Sequence, residues 1–190
     1  MKGREVEVIK CLLENKDKEL SINQVSKILK KDYKTIHNIV NRLVKLSIIL
    51  IQPFGKAHKL ILTKKLHPLI FEAEYQRNQE LFENKDLKII AEDLSKIPQQ
   101  FIAILFGSYA KNTQAKHSDI DLLIITEEES KIDIALRIYP FKIHPTYITY
   151  KEFIHMLKSR EFTVVSEATK KNYIFIGIED FYRAVEHAYQ

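Results

Sequence analysis

Residues 101–125, FIAILFGSYAKNTQAKHSDIDLLII, decide the fold of half the chain. The continuous apolar run from Phe101 to Phe106 reads as a buried strand. Gly107-Ser108 breaks it, a short helix-like stretch (YAKN) and a polar loop follow, and Ser118-Asp119-Ile120-Asp121 leads into a second apolar run, Leu122 to Ile125. Asp119 and Asp121 stand two apart, so at the start of a strand both carboxylates project to one face. Ile120, Leu122 and Ile124 then point the other way, toward a core. Two carboxylates on one side repel each other unless a cation sits between them. A hard divalent ion such as Mg²⁺ accepts carboxylate and phosphate oxygens together. Gly107 lets backbone come close to a ligand. Ser108 stands where a helix would begin, with N–H groups and a hydroxyl suited to an anion.

Outward from this segment, the reading becomes more specific. The Gly107-Ser108 turn after a strand, followed about a dozen residues on by Asp119-Ile120-Asp121 opening the next strand, resembles the nucleotidyltransferase superfamily (the DNA polymerase β-like group), above all its small stand-alone members. IHPTYITYKEF resembles that family's third strand and following helix, and YIFIGIEDFY its last strand and helix, so the resemblance covers about residues 85–190. It implies transfer of a nucleoside monophosphate from an NTP to a hydroxyl, with Mg²⁺ (or Mn²⁺) held by Asp119 and Asp121 and the triphosphate held by Gly107 and Ser108. Lys111 or Lys116 would add charge near the phosphates. The resemblance also marks two departures. The family's third carboxylate falls at His144, and no Asp or Glu lies between Asp133 and Glu152. Imidazole is a poor ligand for Mg²⁺, although His144 can act as a general base toward an acceptor hydroxyl. A partly buried structural histidine beside Pro145 is the ordinary alternative. Family members also commonly carry Arg-Gly where this chain has Lys111-Asn112. Glu127 to Glu129 follow the far end of the second strand, about 20 Å from its start at 3.3 Å per residue, and read as a solvated loop and helix start.

On the N-terminal side the pattern changes. Residues 4–14 carry Val6, Ile9, Leu12 and Leu13 at helical spacing. Ser21 with Gln24 has the form of a capping box opening a second helix, which would bury Val25, Ile28 and Leu29 and end near Lys31. Asp32 is placed to cap a third helix, 33–46, with a buried stripe of Ile36, Ile39, Val40, Leu43 and Val44. Two short strands, 48–52 and 58–62, flank a turn at Pro53-Phe54-Gly55-Lys56-Ala57. Three helices and a basic hairpin match the order of a winged helix-turn-helix. TIHNIVNRLVKLSII resembles the recognition helix of bacterial and archaeal winged-helix regulators. That resemblance implies that Asn38, Asn41 and Arg42 read base edges, that Lys34, Thr35 and Lys45 contact phosphates, and that Lys56, His58 and Lys59 reach a neighbouring groove.

Charge agrees with this division. The first 66 residues hold 15 Lys and Arg against 6 Asp and Glu, a net +9, whereas the remainder carries −4. A concentrated positive block suits a polyanion such as double-stranded DNA. A lone cysteine, Cys11, on an apolar stretch excludes a disulfide within the chain and points to packing. The seven histidines show no zinc-type spacing. Apolar runs of six residues at most, Phe101 to Phe106, are far too short for a membrane span, and no signal-peptide pattern opens the chain, so a cytoplasmic protein is expected.

The expectation is thus an α+β chain in three parts. These are a winged helix-turn-helix DNA-binding domain at 1–66, a connecting helix at 67–84 that is a candidate homodimer interface, and a nucleotidyltransferase-like domain at 85–190 with a mixed sheet and flanking helices. A competing reading keeps the same fold but makes the second domain a nucleotide- or partner-binding module without turnover. That reading is a DNA-binding regulator or antitoxin; small relatives are often paired with an all-helical toxin, an implication of the resemblance alone.

Overall fold

The computed structural model describes residues 2–55, 57–115, 118–159 and 161–189. The chain divides into two compact units, Met1–Gln76 and Arg77–Gln190.

The first unit runs α1 (Lys2–Glu14), α2 (Ile22–Ile28), α3 (Tyr33–Lys45), β1 (Ile49–Phe54) and β2 (Ala57–Leu62), followed by the start of α4 (Pro68–Leu81). Its helices begin where their caps say they should. The Ser21 hydroxyl accepts from the Gln24 N–H, and Gln24 Oε1 accepts from the Ser21 N–H, the reciprocal capping box. Asp32 accepts from the Thr35 N–H at 2.8 Å and opens α3. Pro68 stands at the first position of α4, where its missing N–H would have had no partner. The second helix is shorter than its apolar spacing predicts. Lys30, at φ 51, turns the chain out of the helix, and Ile28 is left 47% exposed instead of buried. The core gathers Val6, Ile9, Leu13, Val25, Ile36, Ile39, Val40 and Leu43. β1 and β2 pair antiparallel from Ile49↔Leu62 to Phe54↔Ala57, so the strands run further toward the tip than expected and leave a tight turn at Gly55 (φ +56). The Leu60 N–H donates to the Leu20 carbonyl at 2.8 Å and ties the hairpin to the helices.

The second unit holds the rest of α4, α5 (Lys85–Ser95), β3 (Ile102–Phe106), α6 (Gly107–Lys111), β4 (Ile120–Ile125), α7 (Ser130–Leu136), β5 (Ile143–Ile148), α8 (Tyr150–Lys158), α9 (Val164–Lys170), β6 (Tyr173–Ile176) and α10 (Ile178–Tyr189). The four strands form one mixed sheet in the order β5-β4-β3-β6, with β4 and β5 parallel and the other pairs antiparallel. All five residues of β3 are buried, and β4 is buried except at Asp121. One side packs Ala103, Leu105, Ile120, Leu122 and Ile124 against Leu87, Ile90 and Leu94 of α5 and Ile132 of α7.

The borders of the sheet are distinctive. β5 carries Pro145, which has no N–H to offer. Against β6, Arg77 donates to the Asn172 carbonyl at 2.7 Å and Asn78 donates to the Ile174 carbonyl at 2.6 Å. Arg77 is buried and lies with its guanidinium 4.4 Å from the Tyr173 ring centre.

Candidate functional site

β3 ends in Gly107 at φ +70, a backbone state that L side chains avoid. A Cβ there would overlap the Asp121 carboxylate, with the Asp121 Cγ only 2.9 Å away. Glycine is therefore needed twice over, for the turn and for the room it leaves. The loop after α6 is tied back to this turn, because the Thr113 N–H donates to the Ser108 carbonyl at 3.0 Å. It closes at Ser118, whose hydroxyl accepts from the Ala115 N–H at 2.8 Å. Ser108, next to Gly107 in α6, is half-buried.

Sheet register sets the carboxylates. Asp121 is opposite Phe106 on β3 and opposite His144 on the parallel strand β5. Burial pushes the Asp121 pKa above the ordinary carboxylate value; the charges of Asp119 and Glu167 push the same way, and His144 opposes them. The His144 Nδ1 lies 3.7 Å from Asp121 Oδ1, and its side chain is 68% exposed, so it is not a buried structural histidine. Lys142, two residues before His144 and just ahead of β5, places its Nζ 2.6 Å from Asp119 Oδ2. Lys111 Nζ stands 3.4 Å from Glu167 Oε1.

Lys142 and Glu167 escaped sequence reasoning. Lys142 stands two residues before His144, a spacing that was readable. Glu167 lies on α9, a helix that no periodicity announced, and only the folded packing brings it near Asp121. Lys116 lies outside the described residues. Glu127 and Glu129 sit at the opposite ends of β4 and β5, beside Glu152 in a hollow of about 300 Å³, away from the Gly107 turn.

The donor set offers two carboxylates toward a divalent ion. Asp119 and Asp121 offer carboxylate oxygens, the ligand type a hard divalent ion takes, with Lys142 already against Asp119 Oδ2. It does not supply a third carboxylate from β5. Among the described residues, no group of three or more His, Cys, Asp and Glu is arranged to hold a metal ion.

In the first unit, α3 presents Lys34, Asn38, Arg42 and Lys45 along one exposed face, at the spacing of successive helical turns. Thr35 and Asn41 are half-buried at its margin, and the Asn41 amide lies 3.2 Å from His37 Nδ1. Several cations of this unit have acidic partners. Arg42 Nε lies 2.9 Å from Glu5, Lys31 3.2 Å from Glu7, and Lys59 2.8 Å from Glu19. His58 is exposed on the hairpin, where Lys59 also lies over the Phe54 ring; Lys56 lies outside the described residues. Cys11 is buried, and burial with the charges of Glu14 and Glu7 pushes its thiol up to about 11, which suits packing and not reactivity.

No helix among the described residues is long and apolar enough to cross a membrane. No curated protein and no solved structure matches the chain. The family model described as Nucleotidyltransferase domain matches residues 87–182, just over half of the chain, and spans the Gly107 turn, both aspartates and His144. With the mixed sheet and the geometry of this turn, that match makes the chain a member of the nucleotidyltransferase domain family.

Proposed function

We propose that the chain transfers a nucleoside monophosphate from a nucleoside triphosphate to a hydroxyl of a protein or nucleic acid, at Gly107, Ser108, Asp119 and Asp121. We also propose that its first 66 residues are a winged helix-turn-helix that binds double-stranded DNA. The observation carrying the first part is the Asp121 carboxylate lodged against the bare backbone of Gly107 at the mouth of β4.

In this reading Gly107 makes room for the Asp121 carboxylate beside the turn, and the Ser108 hydroxyl hydrogen-bonds a phosphate oxygen. Asp119 and Asp121 hold a divalent ion, Mg²⁺ or Mn²⁺. When bound, that ion supplies charge neutralisation at the triphosphate. Lys111 adds positive charge beside the turn. His144, with Nδ1 toward Asp121, takes the proton of the acceptor hydroxyl at the far edge of its ring as that oxygen attacks the α-phosphorus and pyrophosphate leaves. Incubation with each labelled NTP and Mg²⁺ or Mn²⁺ tests it. Transfer by the wild type that drops about 100-fold or more in Asp119→Ala supports the assignment, and no transfer with any NTP refutes it.

A second reading, binding without turnover, is favoured by a specific observation. Lys142 and His144 face the two aspartates where the family uses a carboxylate. Saturable nucleotide binding with no transfer would establish it. For the DNA-binding part, support comes from the net +9 charge of residues 1–66 and the exposed face of α3. Affinity for duplex should fall with salt on a log–log slope of about −4 to −6, as expected for about five phosphate contacts; a flat response refutes it.

A further inference from the structure

Glu5 is a carboxylate in the wrong place for a solvated side chain. It lies in the first turn of α1, 8% exposed, among Val6, Val8 and Ile9. Its Oε1 meets Arg42 Nε at 2.9 Å, and its Oε2 is buried with no hydrogen-bond partner. A buried carboxylate is costly unless a cation answers it. Here the answering cation is on another helix, and its own side chain is 46% exposed.

The contact is one-sided in a useful way. The carboxylate meets the guanidinium at Nε, the nitrogen nearest the main chain. The two terminal amino groups lie beyond it, and this end-on pair matches the two acceptors of a guanine edge in the major groove. An arginine so held is fixed in direction before any ligand arrives, whereas a free one must lose rotamer freedom on binding.

We propose that Glu5 is a positioning residue for base recognition: by holding Arg42 at Nε, it aims the terminal amino groups of Arg42 out of α3 at a guanine-type edge. This rests on the DNA-binding reading of the first unit. On that reading Glu5 adds selectivity instead of affinity, because its own negative charge repels a phosphate backbone.

The test begins with selection from a pool of randomised duplexes by the full chain, to define a preferred sequence. Fluorescence anisotropy then compares preferred and scrambled duplexes at one salt concentration, with a thermal melt of each variant. Arg42→Ala should reduce discrimination about tenfold. Glu5→Ala should reduce it equally, with the scrambled duplex bound as well as or better than by wild type. The double variant should lose no more than either single one. Glu5→Gln, whose amide oxygen still accepts from Nε, should keep discrimination within about threefold of wild type. Should Glu5→Ala fail to fold, Arg42→Lys serves instead. It keeps the charge but has no fork to aim, and should discriminate no better than Arg42→Ala. The proposal is overturned by unchanged discrimination in Glu5→Ala or Arg42→Lys, by failed rescue in Glu5→Gln, or by equal weakening on both duplexes. If the variants discriminate like the wild type, only the Glu5–Arg42 role falls. If the wild type binds no duplex, the DNA-binding reading falls with it.

Discussion

The two units display their working groups by different means. In the second, the backbone does the placing: a left-handed glycine, a strand register that sets Asp121 opposite Phe106 and His144, and a loop tied to the Ser108 carbonyl. In the first, a regular helix offers a row of side chains, and an acidic neighbour on another helix, Glu5, decides where one of them, Arg42, points. A site set by backbone has few tolerated substitutions, and losing one part removes the whole. A face set by side chains should degrade by degrees.

The sharpest way to break this contrast is a matched pair of glycine substitutions. Gly107 and Gly55 both have positive φ, but a Cβ at Gly107 overlaps the Asp121 carboxylate, whereas one at Gly55 meets nothing within 4 Å. Gly107→Ala should cost about 3 kcal/mol in urea unfolding, strain and overlap together, and abolish nucleotide transfer. Gly55→Ala should cost about 1 kcal/mol and leave transfer intact. Equal costs would mean that the Asp121 contact is relieved by simple side-chain movement.

A smaller effect is expected on the helix face. Lys34→Ala should weaken binding to preferred and scrambled duplexes alike, by about threefold, and make the salt slope shallower by about 1. A loss confined to one sequence would move Lys34 from phosphate contact to base reading.

The smallest effect concerns protons at Asp121. Its native pKa is raised, so between about 4, the ordinary carboxylate value, and that raised value the folded chain binds more protons than the unfolded one. Its contribution to stability is therefore best below about 4 and declines as pH rises through the window. Asp32, Asp93 and Glu152, whose pKa values are lowered, act in the opposite direction. The comparison is therefore between wild type and Asp121→Asn: the difference in their melting temperatures should shift in favour of the variant as pH increases, and a constant difference would contradict the raised pKa.

Much of this architecture was legible because it is local. Apolar runs gave β3 and β4, Ser21 with Gln24 and Asp32 gave two helix starts, and Gly107-Ser108 with Asp119 and Asp121 gave the turn and its carboxylates. What stayed hidden depends on contacts between distant residues. Lys142 reaches Asp119 only because β5 lies parallel to β4, and Glu5 reaches Arg42 only because α1 packs on α3. Ile28 shows a different failure: apolar spacing says which face of a helix is buried but not where the helix ends, and Lys30 ends it early.

The four-stranded sheet has one further consequence, at its borders. An uncovered edge invites another polypeptide to extend the ladder, the route to unwanted fibrous association. Here Pro145 denies a donor on one flank, and Arg77 and Asn78 occupy two acceptors on the other. Self-pairing by strand addition is thereby discouraged at each margin of the sheet.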